Sequence, residues 1–311
     1  MGNTYNGMTY VNIAQRGLMI FNKLLAPVVG LFTTDFSEEV AQQGEVVTTR
    51  VVPASAAAQD LQTDLSGDRE SATSDTTTTA VSVTLNQNPI VKFHITDEEA
   101  AKIASGVWTD TKDKLIEKKI NALGESVFNY VIRLMTAASF TNSATVDPAS
   151  FDSDDVADIR GACSLLDWPR SGRGLVLDTS LATALSKDPA VKNREKSGLD
   201  VLISGQIAGN FQGFDRVIEC PQIPPTGTVA TEKLRGFACM SDAIAIAMRG
   251  TPSQAPDDLE AFEVLTDPTT GVILVYRAWH QRGKGIIHHS FETLFGASVA
   301  KGGSLLRLKL S

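Results

Sequence analysis

Apolar side chains fall at Ile116, Ile120, Leu123, Val127, Tyr130 or Val131, and Leu134, steps of three and four that lay one stripe along a helix. Residues 109–138, which carry the stripe, contain no proline and a single glycine, Gly124. The pattern predicts one helix of ~30 residues and ~45 Å, longer than the ~8–20 residues usual in globular proteins. Such a helix crosses a whole domain or serves as a beam on which other elements hang. Gly124 costs it ~1 kcal/mol relative to alanine, so the glycine marks either a bend or a point of close packing.

The same step recurs at Val11, Ala14, Leu18, Phe21 and Leu25, predicting a short amphipathic helix over residues 10–25 that Pro27 ends by lacking a donor. Its apolar face is expected to dock on a more distant element or on another subunit, and residues 1–43 read as an arm. Residues 45–52 and 76–85 then cluster and alternate β-branched side chains. Val81, Val83 and Leu85 fall on one face, Ser82 and Thr84 on the other. Between these strands, residues 53–75 are nearly empty of large apolar side chains and cannot bury enough surface to fold alone. Two strands and a polar tip predict a long hairpin over residues 44–88 standing out from the body; a disordered linker is the alternative.

A strand at residues 90–95 runs into Thr96 and Glu99, a capping box that opens a short helix ending before Gly106. Residues 141–150 read as a polar boundary loop. Asp152 or Ser153 caps the next helix, with Val156, Ile159, Cys163 and Leu166 on one face, and Trp168-Pro169 closes it. A buried strand at 174–178 leads through Thr179 or Ser180 as cap into a helix at 181–186. A glycine-spaced turn (205–213), a strand (216–219) and a proline-rich loop (221–225) follow, and 234–249 is the most apolar run left. Strands are expected at 262–265, 272–278, 285–288 and 305–310, with a turn at 267–271. β-structure thus flanks a compact α+β insertion, which predicts a body at 89–150 and 256–311 and an inserted domain at 151–255.

Composition narrows the function. The 311 residues are 42% hydrophobic but only 6% aromatic, and a net charge of −8 argues against a surface that grips nucleic acid all round. Cys163, Cys220 and Cys239 are widely spaced with no C-x-x-C pair, which suits reduced thiols. Residues 17–32 are interrupted by Asn22, Lys23 and Pro27 well short of the ~20 apolar residues of a membrane span, so a soluble chain is expected. Met1-Gly2 lacks the Ser or Thr that myristoylation needs at position six, where Asn6 stands.

Nucleotide-binding, hydrolase and metalloprotease motifs are absent. Ser298 and Lys301 match S-x-x-K without its companion motifs, and Asp257, Asp258 and Glu260 read as a solvated turn. His288 and His289, adjacent on a strand, point to opposite faces, so at most one can join His280 at a shared metal. No catalytic, cofactor or metal residue is assigned, and a non-enzymatic protein is expected.

Gly209-Asn210-Phe211-Gln212-Gly213-Phe214 before Val217-Ile218-Glu219, the run at 234–249 with Ser241-Asp242-Ala243, and residues 291–299 repeat patterns of a known family. With the order arm, hairpin, long helix, inserted domain and terminal strands, the chain resembles the major capsid proteins of tailed double-stranded DNA bacteriophages. Their α+β fold is the Hong Kong ninety-seven capsid fold. The resemblance implies a structural protein without an active site or cofactor, tiling an icosahedral shell as hexamers and pentamers whose inserted axial domains meet at capsomer centres. The long helix would be the spine of a peripheral domain, the hairpin would lie on a neighbour, and the arm would tie subunits together. Implied partners are further copies, a portal, scaffolding and decoration proteins, and packaged DNA on the inner surface. The implied location is the virion, after assembly in the host bacterial cytoplasm.

Some members weld the shell through a hairpin lysine. Here no lysine lies between Lys23 and Lys92, and Arg50 and Arg69 are the hairpin's cations. An encapsulin-like compartment and an unrecognised hydrolase are the alternatives.

Overall fold

The computed structural model describes residues 10–51, 79–104, 109–192, 211–223, 233–253, 258–281 and 283–310. The expected hairpin tip at 53–75, Gly106, the glycine turn before Phe211, Pro224-Pro225 and Asp257 lie outside the described residues.

Helix α1 spans Tyr10–Leu31 and strand β1 Thr33–Val40; the hairpin strands are β2, Val46–Val51, and β3, Thr79–Thr84. Strand β4, Ile90–Thr96, leads into helix α2, Asp97–Ala104, and the long helix α3 spans Thr109–Arg133. The predicted stripe is the buried one: Ile116, Ile120, Leu123 and Val127 are fully enclosed and Val131 nearly so. Helix α3 stops short of residue 138 because the chain tightens, with Leu134 N–H donating to the Val131 carbonyl and Met135 N–H to that of Ile132, and Phe140 folds back into the core. The capping box forms as read, Thr96 N–H reaching Glu99 Oε2 at 2.9 Å and Glu99 N–H reaching Thr96 Oγ1 at 3.3 Å.

Pro27 does not end α1, which continues to Leu31. Leu31 and Phe32 are buried in a second core with Phe237 and Val176. Burying two such side chains is worth ~3–6 kcal/mol, enough to offset the ~3 kcal/mol that a helix-interior proline costs. Ile13, Ala14, Phe21 and Leu25 share one core with Ile116, Ile120, Leu123 and Val127. Of the two dockings expected for this helix, the distant element of the same chain is the one formed. Residues 10–31 are therefore part of the body rather than an arm.

The inserted region contributes β5, Ser143–Val146, α4, Ser153–Leu165, β6, Gly174–Leu177, α5, Thr179–Lys187, α6, Pro189–Lys192, β7, Arg216–Glu219, and β8, Leu234–Cys239. Asp152 closes a full capping box with Asp155. The next helix is capped by Asp178 rather than by Thr179 or Ser180, its carboxylate accepting the Leu181 N–H at 2.8 Å and also holding Arg235. Buried Arg173 donates to the backbone carbonyls of Pro169, Trp168 and Arg160, tying the segment after α4 back to the helix.

The last strands are β9, Ile244–Gly250, β10, Ala261–Thr266, β11, Ile273–Gln281, β12, Ile286–Glu292, β13, Leu294–Val299, and β14, Leu305–Leu310. They build sheets ordered β10-β11-β12-β4, β1-β9-β13 and β5-β14-β8-β6-β7, beside the β2-β3 hairpin. The apolar run at 234–249 is thus two strands in two sheets, parted by a turn in which Ala243 N–H donates to the Met240 carbonyl. Two expectations change. Residues 141–150 are not merely a loop, because β5 pairs in parallel with β14. Residues 305–310 do not close the body, because β14 lies antiparallel to β8 at the heart of the five-stranded sheet. In each case the pairing is long-range and Leu305, Leu306 and Leu308 are buried by it.

Gly124 is a packing point. A Cβ there would stand 3.0 Å from Leu24 Cδ1 and 3.3 Å from Leu24 Cβ on α1. A methyl fits only if Leu24 shifts; a branched side chain does not. Gly124→Val is expected to lower unfolding free energy by ~1–3 kcal/mol through overpacking, measured in urea. In a double-mutant cycle with Leu24→Ala, coupling of ~0.5 kcal/mol or more checks the packing reading, and a hinge alone predicts none.

Candidate functional site

The titratable groups singled out by the sequence are kept apart by the strand register. His289 is buried, stacked on Phe93 at 4.8 Å, with Nδ1 2.7 Å from the Tyr276 hydroxyl. His288 points to the opposite face, against Trp279. His280 pairs with Ile287 and is exposed. Lys301 of the S-x-x-K match is paired with Asp242 at 3.2 Å. Asp258 and Glu260 are exposed. Among the described residues, no group of three or more His, Cys, Asp or Glu side chains converges as a metal site would.

The cysteines are free and buried. Burial pushes the Cys163 thiol up to about 11 and raises Cys220 and Cys239 as well, which keeps all three protonated and poorly nucleophilic. A cavity of about 230 Å³ lies between α1, α3 and the five-stranded sheet, lined by Leu24, Phe32, Val131, Met135, Val176 and Phe237. Its wall is mainly apolar, with Lys23, Glu219 and Gln222 also on the lining. Inside the body the buried ions serve architecture. Arg249 ties β9 to Asp35 of β1 at 2.9 Å. Arg277 joins Glu292 at 2.7 Å and stacks over Phe262 at 4.9 Å.

On the outside of the body lies the hairpin. The hairpin is anchored at its root: Val81, Val83 and Leu85 bury against Ala245, Ala247 and Leu294. Gln87 and Phe295 exchange backbone hydrogen bonds at 3.0 and 2.9 Å, and the Tyr130 hydroxyl reaches Asn86 Oδ1 at 3.1 Å. Gly296 is required there, because a Cβ would collide with the Thr84 carbonyl. The alternation predicted for 80–85 is therefore what clamps the hairpin to the body, while its other face stays exposed. Val46 is 54% exposed on that face, and on α1 Met19 is 65% and Val11 46% exposed. Periodicity located the hairpin and the buried stripe of α1; Met19 falls on the open face of that helix, among exposed Gln15, Arg16 and Lys23. Among the described residues, no helix is long and apolar enough to cross a membrane.

No family model matches the chain, and no curated protein matches it. Solved structures do. The virus-like particle from Pyrococcus furiosus aligns at a TM-score of 0.53 and 11% identity over 96% of this chain and 98% of its own. The capsid of the cyanophage P-SCSP1u aligns at 0.52 and 13% over 90% and 86%. The mature capsid of bacteriophage PhiM1 aligns at 0.52 and 11% over 91% and 86%. At these identities the likeness is one of fold. The chain has the α+β Hong Kong ninety-seven capsid fold, matched over nine-tenths or more of its length.

Proposed function

We propose that this chain is a structural shell protein, the major capsid protein of a tailed double-stranded DNA phage. The observation that carries the reading is the length of the fold match, nine-tenths or more of this chain against capsids and a virus-like particle. A hairpin clamped at its root and exposed along one face adds to it. In this reading the helix-backed sheet β10-β11-β12-β4 is the peripheral domain with α3 as its spine, and the five-stranded sheet with α4–α6 is the axial domain. The anchored hairpin transmits load from a neighbouring copy directly into β9 and β13. Portal, scaffolding and decoration proteins and DNA on the inner face are the proposed partners. The virion, assembled in the host cytoplasm, is the proposed location. A shell with other contents, as in an encapsulin-like compartment, is the second reading. It draws on the likeness to the Pyrococcus furiosus particle and is told apart by whether purified particles hold DNA or an enzyme.

Sedimentation of the expressed chain, with a cognate scaffold where one is needed, is expected to show closed particles or capsomers far above the 33.2 kDa of one copy. A compact monomer at every concentration and salt would contradict the proposal.

Hairpin welding is not available to this shell. With Lys23 and Lys92 as the nearest amines, the hairpin offers only guanidiniums, which stay protonated and do not act as nucleophiles. Boiled, reduced particles are expected to run as single chains on a denaturing gel. A ladder of multimers that survives reduction would show that another lysine is used.

A further inference from the structure

On the outer face of the four-stranded sheet, β12 sets His288 between Trp279 of β11 and His94 of β4 as direct cross-strand partners. The His288 ring lies flat on the indole of Trp279, centroids 5.4 Å apart and planes at 14°. Its other neighbour, His94, has its centroid 5.8 Å away with planes at 52°. His288 Nε2 lies 3.0 Å from Gln281 Oε1. An amide oxygen only accepts, so Nε2 is the donor, and in the neutral imidazole Nδ1 then keeps its lone pair. A ring nitrogen donating to an oxygen while the other remains available is the arrangement that orients metal-binding imidazoles.

We propose that His94 and His288 form a two-imidazole site for a divalent transition ion of the Zn²⁺, Ni²⁺ or Cu²⁺ class, with solvent completing the coordination. Two imidazoles sharing one ion at ~2.0–2.1 Å have ring centres roughly 4.5 Å apart at a right angle and roughly 5.2 Å at a tetrahedral one, so the observed 5.8 Å closes on an ion with a small turn of either ring. His94 is exposed and His288 half-buried, so the ion enters from solvent. Imidazole selects this class of metal over Mg²⁺ and Ca²⁺, which demand oxygen ligands. His289 belongs to the opposite, buried face with Tyr276, and His280 shares that face by alternation, so neither joins the pair. The site pins edge strand β4, which continues from the hairpin into α2, to the interior strand β12. Bound metal therefore stabilises the folded sheet that holds the two rings by mass action. The proposal stands on this face alone and does not depend on the shell reading.

Trp279 supplies the readout, because Cu²⁺ or Ni²⁺ on His288 quenches the indole stacked against it. Titrating the intact chain with CuCl₂ or NiCl₂ is expected to give saturable quenching reversed by EDTA, and ZnCl₂ is expected to raise the melting temperature. His94→Ala, at an exposed position that leaves the fold intact, is expected to weaken both at least tenfold; His288→Ala should do the same. His280→Ala should change neither, and Trp279→Phe should remove the quenching while keeping the zinc-dependent rise. Equal midpoints in wild type and His94→Ala, or an equal rise with MgCl₂, would overturn the proposal.

Discussion

Helix α1 is held between two surfaces that leave it no slack. On one side Gly17 lies so close to Phe291 that a Cβ would stand 2.6 Å from its ring; on the other, Leu24 fills the space over Gly124 of α3. The sheet, α1 and α3 consequently share one core, in which Phe21, Ile120, Leu123, Tyr276 and Phe291 are fully enclosed. Each such side chain contributes roughly 1.5–3 kcal/mol on burial. A handful of them exceeds the ~1 kcal/mol helix penalty of Gly124 and the ~3 kcal/mol penalty of Pro27. The two glycines are where the helix penalty is accepted so that three layers can meet. Because Leu31 and Phe32 carry α1 into the second core, the same helix also couples the body to the five-stranded sheet.

That coupling explains why the termini of the described chain are built in rather than loose. β14 lies between β5 and β8, and β1 pairs in parallel with β9, so both ends of the described chain are stitched to its interior. Among the described residues, the hairpin lies on this frame with one face covered and one open. Its covered face is small and tightly fitted at Gly296, and its open face carries Val46. A rigid body with an anchored, half-covered hairpin suits a protein that completes its buried surface against copies of itself.

The parts legible in the sequence were those decided within a few residues: the α3 stripe, the Val81, Val83 and Leu85 alternation, the Thr96 capping box, and a cap at Asp152 or Ser153. The parts not legible were decided by distant partners. Pro27 was a sound local stop signal overruled by Leu31 and Phe32. Of β5, only Val146 is buried, so its polar residues gave no strand pattern until β14 supplied the pairing. The contact surfaces and the His94–His288 pair depend on register and packing, which adjacent residues do not encode.

Hydrogen exchange on free subunits and on assembled particles tests the central claim, that the body is complete in one chain whereas the hairpin is finished by a neighbour. Amides of α1, α3 and β11 are expected to be equally protected in both states, and those of β2 and β3 to gain protection on assembly. Hairpin protection that is the same in both states, or a body that becomes protected only in particles, would contradict it.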